Sequence, residues 1–201
     1  MSGKDAYLCS MEAFKEKLCK KYRLQAADVQ TLMDRMEEVR FKKKETIVRE
    51  GNKNTNLYLI KQGIWRGYFH KDGIDTTIWF ASEGEAAFSI WGYMDNAYSQ
   101  VTIEAMSDSI AYCIPRSALN ELYNSSIGLA NLGRSLMEHQ FLSQETWLIS
   151  AGSPRAKERY LTLIKEMPEL LQHVPLKYIA SYLWITPQSL SRIRAELTCS
   201  I

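Results

Sequence analysis

Gln188 and Arg192 stand one helical turn apart in the segment ITPQSLSRI. On a helix they share a face, and they are the residue types that pair bidentately with adenine and guanine edges in the major groove of DNA. Ser191 and Ala195 fall on that face, while Leu190, Ile193 and Leu197 fall on the opposite one. Thr186 supplies an N-cap oxygen, and Pro187 sits at the first helical position, where its missing N–H costs nothing. Just upstream, Leu176, Ile179, Ala180 and Leu183 follow i, i+3, i+4, i+7 and make the apolar stripe of a preceding helix. Lys177, near its start, is placed for a phosphate contact. Taken alone, Val174 to Leu197 also fits an ordinary helical hairpin with a solvated polar face.

Other chemistry finds less support. Cys9, Cys19, Cys113 and Cys199 are scattered, with no CxxC pair, and His70, His139 and His173 are far apart, so no metal or cofactor site is expected. A metal oxygenase on a β-scaffold needs a His pair plus a carboxylate, and His70 is the only histidine in the β-rich region, so an enzyme is not expected. No apolar run reaches the length of a membrane span, and the charged start MSGKDAYLCSMEAFKEK is unlike a signal peptide, so a cytoplasmic protein is expected. Net charge is only +2, but it is uneven. From Ala151 onward, seven Lys and Arg face four Asp and Glu, an excess of +3, while the remainder has 18 against 19. The positive excess lies where attraction to phosphate would want it.

The elements that must position this segment follow from periodicity. Met11 to Lys20 and Ala26 to Glu38 have helical spacing, with Phe14, Leu18, Val29, Leu32, Met33 and Met36 apolar. From Arg40 to Pro115, short β-rich runs (ETIV, NLYLI, IWRGYF, TTIWF, VTIEA, IAYCI) alternate with turn signals at Gly51, Gly63, Asp72-Gly73 and Gly84, which predicts an antiparallel sandwich or roll. Arg116 to Tyr123 is a short helix. A long helix from about Ser126 to Ile149 has an apolar face wider than one neighbour needs. It is expected to carry a homodimer contact through Leu129, Leu132, Leu136, Met137 and Phe141; one wide intramolecular core face is the alternative. A Gly stop at Gly152, a cap at Ser153 and Pro154 then open a further helix to Met167. The expected units are therefore 1–124, with helices and β-roll, 125–150, the long helix, and 151–201, the helix pair.

This order of elements resembles the catabolite activator/fumarate-nitrate regulator (Crp/Fnr) family of bacterial transcription factors. Gly51, Tyr58 and Gly63 in EGNKNTNLYLIKQGIWRGYF resemble the family's "G…LY.I..G" run, Gly84 follows in SEGEAAF, and ITPQSLSRI resembles its recognition-helix "SRETVGRI". The resemblance implies an α+β chain: a cyclic-nucleotide-binding-like antiparallel β-roll, a dimer-forming long helix and a C-terminal helix-turn-helix. It implies double-stranded DNA with a palindromic site, and RNA polymerase, as partners. Base reading then falls on Pro187, Gln188 and Arg192, with Thr186 and Ser189 on phosphates. Pro187 replaces the family's first base-reading Arg, so the family's usual operator is not expected. The turn position where the family often has Gly is Trp184, which a positive φ would strain by about 1–3 kcal/mol. With Ile201 only four residues past Leu197, no β-wing is expected after the second helix.

The effector pocket departs further. Where the family's cyclic-nucleotide binders carry Gly-Glu and, ten residues on, Arg-Ser, this chain has Phe88-Ser89 and Ser99-Gln100. No Arg or Lys occurs from Phe88 to Met106, and a buried phosphate without a cation is costly. Arg66, on a neighbouring strand, is the one candidate to reach inward. cAMP and cGMP are therefore not expected as ligands, and an effector of another kind, or none, is left open. Two N-terminal cysteines do not supply the family's iron–sulfur set. The aromatics Trp65, Tyr68, Trp79, Phe80, Phe88, Trp91 and Tyr93 either line an apolar cavity or fill the core. A ligand-sensing or protein-interaction module that has lost specific DNA binding is the second functional reading.

Overall fold

A computed structural model describes residues 3–152 and 155–198. Two helices open the chain, α1 (Gly3–Tyr22) and α2 (Ala26–Met33). Eight strands follow: β1 (Glu37–Phe41), β2 (Thr46–Val48), β3 (Asn56–Gln62), β4 (Trp65–Lys71), β5 (Ile74–Ala81), β6 (Ala86–Ala87), β7 (Thr102–Ala105) and β8 (Ser109–Pro115). The short helix α3 (Ile90–Asp95) interrupts them between β6 and β7. They form two antiparallel four-stranded sheets, ordered β1-β8-β3-β6 and β2-β7-β4-β5. Asp72 and Gly73 both have positive φ and close the β4–β5 hairpin, as their sequence predicts.

Side-chain alternation divides the core. In β3, Tyr58 and Ile60 point between the sheets with Trp65, Ile103 and Ala111, while Leu57 and Leu59 point outward to the helices. In β8, Tyr112 and Ile114 take that same outward side. They meet Phe14 and Leu18 of α1, Val29 and Leu32 of α2, Leu119 of α4 (Arg116–Ser125) and Leu129, Leu132 and Leu136 of α5 (Ile127–Gly152). The aromatics Trp65, Phe88 and Tyr93 are filled core rather than cavity lining.

Two boundaries differ from expectation. The second helix ends at Met33, not Glu38, because Glu37 and Glu38 pair with Cys113 and Tyr112 of β8. The long helix runs through Gly152, and Ser153 and Pro154 lie outside the described residues.

Four helices complete the chain: α6 (Ala156–Glu166), α7 (Leu170–His173), α8 (Leu176–Tyr182) and α9 (Pro187–Thr198). Tyr160, Leu163, Leu170, Val174, Ile179, Ala180, Leu183 and Leu190 form their core, to which Ile64 and Met106 of the roll also contribute.

Candidate nucleic-acid interface

Helix α9 is anchored on one side and open on the other. Leu190 is fully buried and Ile193 and Leu197 are half-buried, whereas Gln188, Ser191, Arg192 and Ala195 are exposed. The Thr186 hydroxyl oxygen accepts from the Ser189 backbone N–H at 3.1 Å, the cap its sequence predicts. The Thr186 and Ser189 hydroxyls lie 3.0 Å apart, and the Ser191 hydroxyl donates to the Pro187 carbonyl at 3.0 Å. Pro187 is exposed at the first helical position. Lys177 is exposed on α8, its ammonium 4.7 Å from the centre of the Tyr178 ring. Among the described residues, Gln188 and Arg192 make no side-chain hydrogen bond or ion pair, so both present all their donors to solvent.

The turn between α8 and α9 is closed by two backbone bonds. The Ile185 N–H donates to the Ala180 carbonyl at 3.0 Å, and the Trp184 N–H to the Ser181 carbonyl at 3.1 Å. This double closure is the Schellman arrangement, which needs a left-handed residue at its centre. Trp184 takes that role with φ 55°, and its ring rests on Trp147 of α5.

Helix α8 is fixed to the outer face of β4 and β5. The Thr77 backbone N–H donates to the Ser181 hydroxyl oxygen at 2.8 Å, and the rings of Phe80 and Tyr182 lie 5.3 Å apart. Arg66 is 1% exposed and points to this same face, which corrects its expected place in the effector pocket. Trp65 beside it takes the inward direction, so alternation sends Arg66 outward. Its guanidinium donates to Glu104 at 2.8 and 3.0 Å and to Asp75 at 3.2 Å, and stacks between the rings of Tyr68 and Tyr178. Burial works against ionisation of Asp75, but hydrogen bonds from His70 and Arg66 outweigh it and hold its carboxyl below the usual range. Tyr178 and Ser181 carry no motif that marks them for this contact. Outward alternation at Arg66 is the one sequence signal for it.

Of the effector pocket positions, Ser89 and Ser99 do come together, but as closed core. The buried Ser89 hydroxyl donates to Ser99 at 2.9 Å, and Ser99 donates to the Val101 carbonyl at 2.7 Å. Ser89 also caps α3, accepting from the Gly92 N–H. Phe88 is buried against Tyr93, ring centroids 4.7 Å apart, and Gln100 is exposed, its amide donating to the Tyr98 carbonyl. Both serine hydroxyls are thus spent on each other and on backbone, and Phe88 packs with Tyr93 in the cluster beneath the helices.

The face of α5 also needs correction. Leu129, Leu132 and Leu136 are buried in the chain's own core with Met137 packed against it, because α1, α2 and α4 lie along that side. Of the five residues expected at a partner helix, only Phe141 is exposed, at 70%. Leu142, Leu148 and Ile149 are exposed beside it.

Among the described residues, no three His, Cys, Asp or Glu side chains group as a metal site would require, and no helix is long and apolar enough to cross a membrane. Residues 38–126 match the cyclic nucleotide-binding domain family. Comparison with curated protein sequences gave no match. Among solved structures, the chain is similar to FixK2 from Bradyrhizobium japonicum, with 20% identity and a TM-score of 0.71 over 82% of this chain and 85% of that one. A protein of Eubacterium rectale assigned to the Crp/Fnr transcriptional regulators has 21% identity and a TM-score of 0.65, over 89% and 85% of the two chains. The catabolite activator protein of Thermus thermophilus has 17% identity and a TM-score of 0.56, over 92% and 87%. The chain thus carries a cyclic nucleotide-binding domain on an α+β antiparallel roll, and its structural neighbours are Crp/Fnr regulators.

Proposed function

We propose that this chain is a DNA-binding transcriptional regulator that acts as a homodimer and whose effector domain no longer takes a cyclic nucleotide. The observation that carries this reading is the open face of α9, where Gln188, Ser191 and Arg192 are exposed on a helix anchored from behind by Leu190. In this reading the roll with its leading helices spans residues 1–124, the dimer helix 125–150 and the helix-turn-helix unit 151–201. Work in the cytoplasm and contact with RNA polymerase belong to the same reading. Selection of bound duplexes from a random library by the purified protein tests it. The expected product is a two-fold symmetric site with half-sites about one DNA turn apart, roughly 34 Å. If the protein does not prefer the selected duplex over its scramble even at low salt, the regulator reading fails. The second reading, a protein-interaction module built on the exposed Pro187 and Trp184, then takes its place.

The closed Ser89–Ser99 pair supports the loss of cyclic-nucleotide binding, since neither a cation for the phosphate nor a carboxylate for the ribose replaces it. Calorimetry with cAMP and with cGMP should give no saturable heat. Micromolar binding of either nucleotide would overturn this part of the reading. The double change Ser89→Glu with Ser99→Arg should not restore binding in full, because Phe88 remains where the family's nucleotide binders have Gly.

A further inference from the structure

We propose that Tyr178 and Arg66 form a clasp that sets the position of α9 relative to the β-roll, which makes Arg66 a positioning residue for DNA binding; the inference rests on the DNA-binding reading above. The Arg66 guanidinium lies 3.8 Å from the ring centre of Tyr68 and 3.5 Å from that of Tyr178. Tyr68, Glu104 and Asp75 belong to the same sheet as Arg66, and their contacts hold the guanidinium in a fixed plane. Tyr178 belongs to α8 and closes the sandwich from the other side. A planar cation between two rings resists both sliding and rotation, which a lysine ammonium in its place would not do.

Tyr178 does not act alone. Ser181 and Tyr182 follow it at i+3 and i+4, so the stacked ring, the Thr77–Ser181 hydrogen bond and the Phe80–Tyr182 contact lie along one face of α8. Three unlike contacts on one helix face leave α8 a single seat. The two backbone bonds across Trp184 and the shared burial of Ile179, Ala180 and Leu190 then carry α9 with it. The reading helix is thereby placed by a contact within the chain. A dimer reads two half-sites together only if both reading helices are held at one separation.

Arg66 is a poor site for the test, because its removal strands the Glu104 carboxylate and threatens the folding of the roll. Tyr178→Ala leaves that ion-pair group intact, and Tyr178→Phe keeps the stack. Affinity is read by fluorescence anisotropy on the selected duplex and on duplexes with the half-sites moved apart by two base pairs. Thermal unfolding is recorded in parallel. Tyr178→Ala should bind the selected duplex about tenfold more weakly, the equivalent of one stacked cation–π contact. Its penalty for the altered spacing should also shrink relative to wild type, and Tyr178→Phe should behave as wild type in both. An equal loss by Tyr178→Ala on every duplex, or no loss at all, overturns the clasp alone. Wild-type protein indifferent to sequence and spacing overturns the clasp and the DNA-binding reading together.

Discussion

Trp184 sits in the left-handed turn before α9 with its ring 5.7 Å, centroid to centroid, from that of Trp147 on the long helix α5. The turn needs a positive φ, which any residue with a Cβ adopts at a cost, and the ring contact offsets part of it. The two terms separate by mutation. Trp184→Ala loses the ring and keeps the strained backbone, while Trp184→Gly loses the ring and relieves the strain. The glycine variant should therefore be more stable than the alanine variant by about 1 kcal/mol, the reverse of their order in a helix interior. Urea unfolding of the two proteins checks the order. Equal midpoints would mean that the left-handed geometry at Trp184 stores no strain.

The correction on α5 makes a second prediction. Leu132 is buried in the chain's own core and Phe141 is exposed on the same helix. Leu132→Ala should lower stability by about 2–5 kcal/mol and leave self-association intact. Phe141→Asp should barely change the stability of the chain and should dissociate the dimer. Sedimentation equilibrium at micromolar protein reads both. A wild-type protein at the mass of one chain would remove the dimer claim.

Local chemistry was legible in the sequence, and partition between neighbours was not. Gly51, Gly63, Gly73 and Gly84 all take positive φ, and Thr186 caps α9, because turns and caps are decided by a few adjacent residues. The ten-residue offset placed Ser89 and Ser99 at effector positions only through the family resemblance, and their bond to each other was not legible. Leu129 and Phe141 are equally apolar in sequence, and only the placement of α1, α2 and α4 decides which is covered. Glu37 and Glu38 continue a helical pattern, yet β8 captures them as a strand, a tertiary pairing that overrides local preference. Strand β6 is two alanines long and carries no β signal at all. The outward direction of Arg66 follows from the unbroken alternation of β4, opposite to Trp65, but Tyr178, which covers it there, lies on an element more than a hundred residues away.

Tyr182 links the roll to α8 and gives the joint a dependence on alkaline pH. Burial, with the nearby Glu166 and Glu85 carboxylates adding to it, pushes its hydroxyl up to about 12. A raised folded value means that folding favours the protonated phenol. Its contribution, on the order of 2 kcal/mol, is complete below about pH 10 and is lost as pH rises through 12. Tyr182→Phe removes that titration, so its stability relative to wild type should improve between pH 10 and 12. Other tyrosines, among them the buried Tyr58 and the half-buried Tyr68, are raised too and should leave a residual alkaline slope in the variant. Urea midpoints of both proteins at pH 8, 10 and 11.5 read the difference. A constant offset across that range would refute it.

Arg192 and Lys177 should fail in different ways when removed, because one faces base edges and the other the phosphate backbone in the proposed complex. Arg192 is exposed on α9 with no partner among the described residues, so no internal contact is lost in Arg192→Ala. That variant should lose about 1–3 kcal/mol on the selected duplex, relax preference at one position per half-site, and bind scrambled DNA much as wild type does. Lys177 is exposed near the start of α8. Lys177→Ala should weaken binding to every duplex alike and make the dependence of affinity on salt shallower by about one unit per half-site. Gln188→Ala should resemble Arg192→Ala, but at an adenine position. Anisotropy titrations on specific and scrambled duplexes across a salt series separate the two behaviours. If Arg192→Ala lost the same factor on both duplexes, Arg192 would be a phosphate contact, and base reading by α9 would fall to Gln188 alone.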